Sequence, residues 1–157
     1  MYPGLLGEPF GFKHTKTCLD GKVAIRLLAE AKEAFPMEYS ALLTGREATI
    51  TGHFPLPSAT PSSVAFSWDG PVFLRALRAI QSEGQQWLGV LHSHPTAPPL
   101  PSLADREGWH YPQLGYWILG PVQTDPQLKL YQWTEGRFVE RPFQLLGHHS
   151  SGSAIRS

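Results

Sequence analysis

Trp87-Leu88-Gly89-Val90-Leu91-His92-Ser93-His94-Pro95 is the stretch on which the fold of this chain turns. The five residues before the first histidine are short, apolar and partly β-branched, the pattern of a buried strand. Side chains at i and i+2 of a strand point the same way, so His92 and His94 can face one ion. Seven intervening residues lead to Ser102, and Asp105 follows three later. Two imidazoles and one carboxylate are an ordinary ligand set for a catalytic zinc, whose fourth position is left to water.

The carboxylate has to be brought back to the strand, and the intervening residues suggest how. Thr96-Ala97-Pro98-Pro99-Leu100-Pro101 cannot continue a strand or helix, because its prolines lack donors and fix φ. Ser102 then reads as a helix N-cap, with Asp105 inside the first turn. Each piece alone has a blander meaning. Ser-x-x-Asp is more often a capping box than a catalytic signature. A lone His-x-His is more often a satisfied core or surface pair. The conjunction at this spacing, in a chain with 7 His, is far more specific.

A zinc hydrolase also needs a base, usually a carboxylate. Glu38 is the candidate, within Phe35-Pro36-Met37-Glu38-Tyr39-Ser40-Ala41-Leu42-Leu43-Thr44-Gly45, although a Glu at a strand start is more often simply solvated. Taken together, Glu38, His92-Ser93-His94-Pro95 and Pro101-Ser102-x-x-Asp105 resemble the JAMM (MPN+) zinc metallopeptidases. The resemblance runs from about Leu19 to Phe143. Pro36 to Gly45 is similar to that family's Pro-x-Glu-x-Cys-Gly-Leu-Leu-x-Gly segment, with Ser40 and Ala41 replacing Cys and Gly. These are exchanges of small residues, and every catalytic position is filled.

The resemblance implies an α/β fold: a single-domain mixed β-sheet flanked by helices, of the cytidine-deaminase-like JAMM/MPN type. It implies one Zn2+ held by His92, His94 and Asp105, with Glu38 as general base and Ser102 as hydrogen-bond donor to the oxyanion. It implies cleavage of peptide or isopeptide bonds after the C-terminal Gly-Gly tail of a ubiquitin-like or sulfur-carrier protein. Two other classes fit the residues less well. One is a zinc amidohydrolase or deaminase acting on a small amide. The other is a non-catalytic MPN interaction module, against which stands the lack of a fourth protein ligand that structural zinc sites usually have.

Composition bounds the rest. With 157 residues and 41% hydrophobic, one domain with a substantial core is expected. Lys+Arg and Asp+Glu are both 13, so there is no basic field for nucleic acid. The single Cys18 excludes an internal disulfide framework and is expected to be a buried thiol. Met1 to Gly7 lacks the charged start and long apolar run of a secretory leader, and no apolar stretch approaches membrane-spanning length. A cytoplasmic protein without a membrane partner is expected.

Along the chain, residues 1–17 are expected to form a loose arm, 18–146 the metallopeptidase domain and 147–157 a disordered tail. Helices are predicted over Leu19 to Phe35, Pro71 to Glu83 and Ser102 to about Trp109. Strands are predicted over Glu38 to Thr44, Ala48 to Phe54, Val64 to Trp68, Trp87 through the histidines, Tyr116 to Leu119, Leu128 to Thr134 and Phe138 to Leu145, with Glu135-Gly136 as a hairpin turn. Pro55 to Ser63 reads as a loop, and with Trp68 it is the candidate for substrate contact. Trp109, Tyr111, Tyr116 and Trp117 are expected in the core. His14, His53, His110, His148 and His149 are expected to have no catalytic role.

Overall fold

The computed structural model describes residues 4–57 and 70–147. Its eight strands are β1 (Thr17–Asp20), β2 (Ser40–Arg46), β3 (Thr49–Leu56), β4 (Gln86–Ser93), β5 (Gly115–Gly120), β6 (Gln127–Thr134), β7 (Arg137–Arg141) and β8 (Phe143–Leu146). They form one mixed sheet in the order β7-β6-β5-β4-β2-β3-β1-β8. The helices are α1 (Gly21–Ala34), α2 (Gly70–Ser82) and the short α3 (Leu103–Gly108). Among the described residues no helix is long and apolar enough to cross a membrane.

β7 and β8 are separated only by Pro142 yet lie at opposite edges of the sheet. The sheet therefore curls until its two edges meet. The single strand expected over Phe138 to Leu145 is thus two. Pro142 cannot donate to a ladder, and the chain leaves β6 there to run parallel to β1. The Glu135-Gly136 turn joins β6 to β7 as expected, with both residues at positive φ (53° and 78°).

The two faces of the sheet carry separate apolar clusters. α1 covers one with Val23, Ala24, Leu27, Leu28 and Ala31, residues at helical spacing that pack on Leu43, Leu91 and Trp117. Asp20 caps α1 by accepting from the Lys22 N–H at 2.8 Å. The helix stops at Ala34, where Pro36 restricts the residue before it. The other face packs Leu77 and Ile80 of α2 against Val90, Tyr116 and Ile118, with Trp87 and Trp109 filling the space toward α3. β4 and β5, in mid-sheet, are buried almost throughout, which explains their continuous apolar runs.

Three boundaries differ from expectation. α1 begins at Gly21, because Leu19 is fully buried in β1, a strand paired with β3 and β8. Part of the expected 1–17 arm is anchored to the sheet. Leu5 is buried, and the Leu5–Gly7 backbone bonds to Trp87, with Trp87 N donating to Leu5 O at 2.8 Å and Gly7 N to Trp87 O at 2.9 Å. Pro55 and Leu56 belong to β3 rather than to a loop. Pro55 is tolerated there because β1 pairs only with the other end of β3, at Thr49 and Ile50. The expected strand Val64 to Trp68, residues 58–63 of the expected Pro55 to Ser63 loop, Trp68, His148 and His149 lie outside the described residues. Cys18 is half-buried in β1.

Candidate metal centre

The site lies where β4 ends and the crossover to its parallel neighbour β5 begins. His92 is the penultimate residue of β4, and its side chain lies on the face that carries Tyr116, with ring centroids 5.2 Å apart. His94 stands one residue past the strand, but its N–H continues the ladder by donating to Leu119 O at 2.8 Å. The expected i, i+2 alignment is present: the two imidazole centroids are 5.0 Å apart and both rings are buried. The chain then turns through the proline-rich loop into α3, which returns Asp105 to the histidines.

Asp105 is held by the capping box foreseen in Ser-x-x-Asp. Ser102 N donates to Asp105 Oδ2 at 2.6 Å, and Asp105 N donates to Ser102 Oγ at 3.2 Å. Ser102 Oγ also stands 3.0 Å from Oδ2. Tyr116 OH donates to Oδ1 at 2.5 Å. A residue counted only as core is therefore a direct support of the carboxylate. The Val90↔Tyr116 register places it there, and no local sequence pattern discloses that pairing.

The three side chains converge. His92 Nε2 is 3.1 Å from His94 Nε2 and 3.0 Å from Asp105 Oδ1, and His94 Nε2 is 3.7 Å from Oδ2. Donors bound to one zinc at about 2.0–2.1 Å in a tetrahedron stand roughly 3.3–3.4 Å apart. The separations here bracket that value, so the donor set fits a zinc ion in both chemistry and spacing. His94 Nδ1 lies 2.8 Å from Pro98 O, a carbonyl that only accepts. That contact fixes the proton on Nδ1 and leaves Nε2 as the lone-pair nitrogen.

Electrostatics agree with the geometry. Burial alone would lift the Asp105 carboxyl, but hydrogen bonds from His92 and His94 and the Ser102 backbone hold it well below the usual carboxylate range. Burial opposes charging of His94, yet Asp105, Pro98 O and the charge of Glu38 together raise its pKa. Burial and the adjacent Asp105 charge push the Tyr116 phenol upward, so it stays a donor.

Glu38 sits just ahead of β2, half-buried and close enough that its charge acts on both His94 and Tyr116. Its placement follows from its neighbour. Tyr39 N donates to Ser93 Oγ and Ser93 N donates to Tyr39 O, both at 2.8 Å, which fastens this segment to the strand between the two histidines. The Tyr39 hydroxyl donates to Glu30, whose carboxylate also meets His53 Nε2 at 3.1 Å. His53 is thus occupied in a support well removed in sequence from the ligands. His110 lies at the end of α3 against Arg106 O, at 3.0 Å, and His14 is exposed. Trp109 and Trp117 are fully buried as expected, whereas Tyr111 is exposed.

A curled mixed sheet flanked by a few helices is the JAB/MPN fold. Residues 21–134 match the model of prokaryotic homologs of the JAB domain, and the chain belongs to that family. A desampylase from Haloferax volcanii is 32% identical over 121 residues, covering 73% of this chain and 85% of the relative. A probable TtuB-protein conjugate cleaving protease from Thermus thermophilus is 38% identical over 89 residues, covering 55% of this chain and 57% of that protein. A solution structure from Desulfitobacterium hafniense superposes with a TM-score of 0.75 at 29% identity, covering 83% of this chain and 93% of that one.

Proposed function

We propose that this chain is a zinc-dependent hydrolase that cleaves the bond after the C-terminal Gly-Gly tail of a ubiquitin-like, sulfur-carrier-type protein. The observation that carries the reading is the convergence of His92 Nε2, His94 Nε2 and the Asp105 carboxylate beside Glu38. Relatives named as a desampylase and as a TtuB-protein conjugate cleaving protease support the substrate class. Bound zinc supplies a Lewis acid that polarises a carbonyl and acidifies water.

The chain's own groups do the rest. His92 and His94 offer Nε2 and Asp105 a carboxylate oxygen as ligands. Glu38 takes the proton of the attacking water and returns it to the leaving amine, so its carboxylate ends as it began. Ser102 Oγ donates to the carbonyl oxygen as negative charge builds there, a contact that can contribute about 3 kcal/mol. For that the hydroxyl turns away from Asp105 Oδ2, while the Ser102 N–H keeps its 2.6 Å bond to the same atom.

The test measures zinc content and cleavage of a ubiquitin-like carrier linked through its C-terminal glycine to lysine, for wild type and Glu38→Gln. One zinc in each, with cleavage by wild type alone, is expected. Zinc in both without cleavage by either would refute the peptidase reading. Full activity in Glu38→Gln would remove Glu38 as the base.

A further inference from the structure

An open cavity of about 480 Å³ lies where the two edges of the curled sheet meet. Its wall is built by Phe10, His14 and Lys16 from the segment before β1, by Gln132 of β6, and by Arg141 and Pro142 at the β7–β8 junction. Among the described residues no carboxylate lines it. The ion pairs among those residues also leave His14, Lys16 and Arg141 uncompensated. In a chain whose Lys+Arg and Asp+Glu are both 13, this is a local excess of positive charge. Arg141 is half-buried and fixed through one nitrogen: its Nε donates to Gln132 Oε1 at 3.0 Å, while Gln132 Nε2 donates to Pro112 O at 2.8 Å. The Nη1 and Nη2 donors of the guanidinium remain for a ligand. A turn closed by Thr15 N on Phe12 O at 3.2 Å, with His14 at φ 67°, brings His14 and Lys16 to the same cavity. Side chains alternate along β6, so Gln132 faces away from Tyr131, whose hydroxyl supports the metal-site loop at Pro99 O.

We infer that this cavity is a second ligand site, distinct from the metal centre, which binds the phosphate monoester of a small organic molecule. Arg141 and Lys16 hold the phosphate, His14 adds a ring N–H, and Phe10 and Pro142 cover the organic body. The charge argues for a phosphate: a dianion is matched by the Arg141 and Lys16 cations, with no carboxylate to repel it. The free Nη edge of a guanidinium fits two phosphate oxygens at once, and holding Nε beforehand lowers the cost of ordering the side chain. A half-buried cation without a counter-charge is also poorly solvated, and an anion relieves that. Size and wall argue for an organic ester over the bare ion. The cavity falls within the range of roughly 300–1,000 Å³ usual for small-molecule sites, and an aromatic and a proline ring line it beside the cations. No zinc ligand takes part, so the site stands whether or not the chain is a peptidase.

The test titrates phenyl phosphate and inorganic phosphate into the full zinc-loaded chain by calorimetry, with amide NMR to locate the site. One saturable site is expected, with phenyl phosphate bound roughly tenfold more tightly than inorganic phosphate because its ring buries apolar surface. Amide shifts should fall on Thr15, Lys16 and Arg141. Arg141→Gln and Lys16→Gln should each weaken phenyl phosphate by about tenfold or more, the usual loss of a charge-assisted hydrogen bond. Arg141→Lys keeps the charge but not the fork and should recover only part of the affinity. Lys16 is exposed, so Lys16→Gln carries the test even if Arg141→Gln unfolds. Absence of saturable binding at millimolar phenyl phosphate overturns the site. So does affinity unmoved by both glutamine substitutions. Shifts confined to His94 and Ser102 would assign the ligand to the metal centre and overturn it as well. Equal affinity for the two ligands overturns the organic class.

Discussion

Gly120, the last residue of β5, is predicted to be a steric requirement of the metal centre. A Cβ built at this position would lie 2.6 Å from Ala97 O, 2.9 Å from His94 Cβ and 3.0 Å from His94 O. Ordinary contact begins at about 3.4 Å, so the worst overlap is about 0.8 Å. None of the three atoms is the end of a flexible side chain, so the strain falls on the His94 backbone or on the start of the proline loop. Overpacking of this kind destabilises by about 1–3 kcal/mol. For a chain of this size that lowers the thermal midpoint by roughly 2–12 °C. A ligand displaced by a few tenths of an ångström should also bind zinc about 10- to 100-fold more weakly, the range seen when supports of metal ligands are altered. The assay is zinc competition against a chromophoric chelator, run beside thermal unfolding of the metal-free protein. A Gly120→Ala protein with wild-type zinc affinity and an unmoved midpoint would show that the loop yields freely and that the approach of β5 to His94 does not matter.

Tyr116→Phe removes the 2.5 Å donor to Asp105 Oδ1 without changing ring packing, and is expected to weaken zinc binding about 10-fold or more while leaving one zinc at saturation; metal titration reads it. Asp105→Ala should go further and prevent zinc retention through gel filtration, and a fully loaded, active variant would discard the ligand assignment. Tyr39→Phe severs the link to Glu30 and should lower stability by about 1 kcal/mol, with kcat falling more than KM rises, because the backbone that places Glu38 loosens. In the metal-free protein, the depressed Asp105 adds stability above its unfolded pKa of about 3.9, lost as pH falls through its folded value. The raised His94 adds stability below about 6.5, lost as pH rises through its folded value. Metal-free protein should therefore unfold at a higher temperature near pH 5.5 than near pH 8. Zinc binding must displace the His94 proton, so zinc affinity should rise over the same interval.

The convergence of His92, His94 and Asp105 was legible because it is local. His92 and His94 need only the strand period of two, and Asp105 needs only a loop that cannot be regular structure and a capping signature after it. Glu38 was not legible that way. Nothing in its own segment distinguishes it from a solvated strand end, and the likeness to a family supplied it. Tyr116 and Gly120 were missed for a different reason. Their roles come from the β4–β5 register, Val90↔Tyr116 and Ser93↔Leu119, which joins segments more than twenty residues apart. The alternation Tyr116, Ile118 on a strand parallel to His92 was the available signal for Tyr116, though it could not by itself choose that face. Phe138 to Leu145 held its own warning in Pro142, a residue that a continuous strand would not place mid-run. The Thr17–Asp20 strand is hard to separate from α1 by sequence because it is four residues long and leads directly into the helix.

The proline-rich loop unites these features. A loop beside a metal ligand carries a hazard, since any free N–H near the imidazoles could compete for their lone pairs. Pro98 and Pro99 remove that hazard by having no N–H to offer. Their carbonyls remain as pure acceptors, and each is used: one takes the His94 Nδ1 proton, the other the Tyr131 hydroxyl. Fixed φ at both residues means the acceptors need no further ordering when a substrate arrives. The loop thereby sets the tautomer of His94, delivers the helix that carries Asp105, and holds two leucines, Leu100 and Leu103, outward between them. Replacing Pro98 by alanine would keep the carbonyl but free its φ and restore an N–H. The resulting loss should appear first as heterogeneity of the His94 ring nitrogens in NMR, before any loss of fold. A single unchanged Nδ1-protonated tautomer in Pro98→Ala would mean that β5, through its Leu119 bond to the His94 backbone, sets the ring unaided.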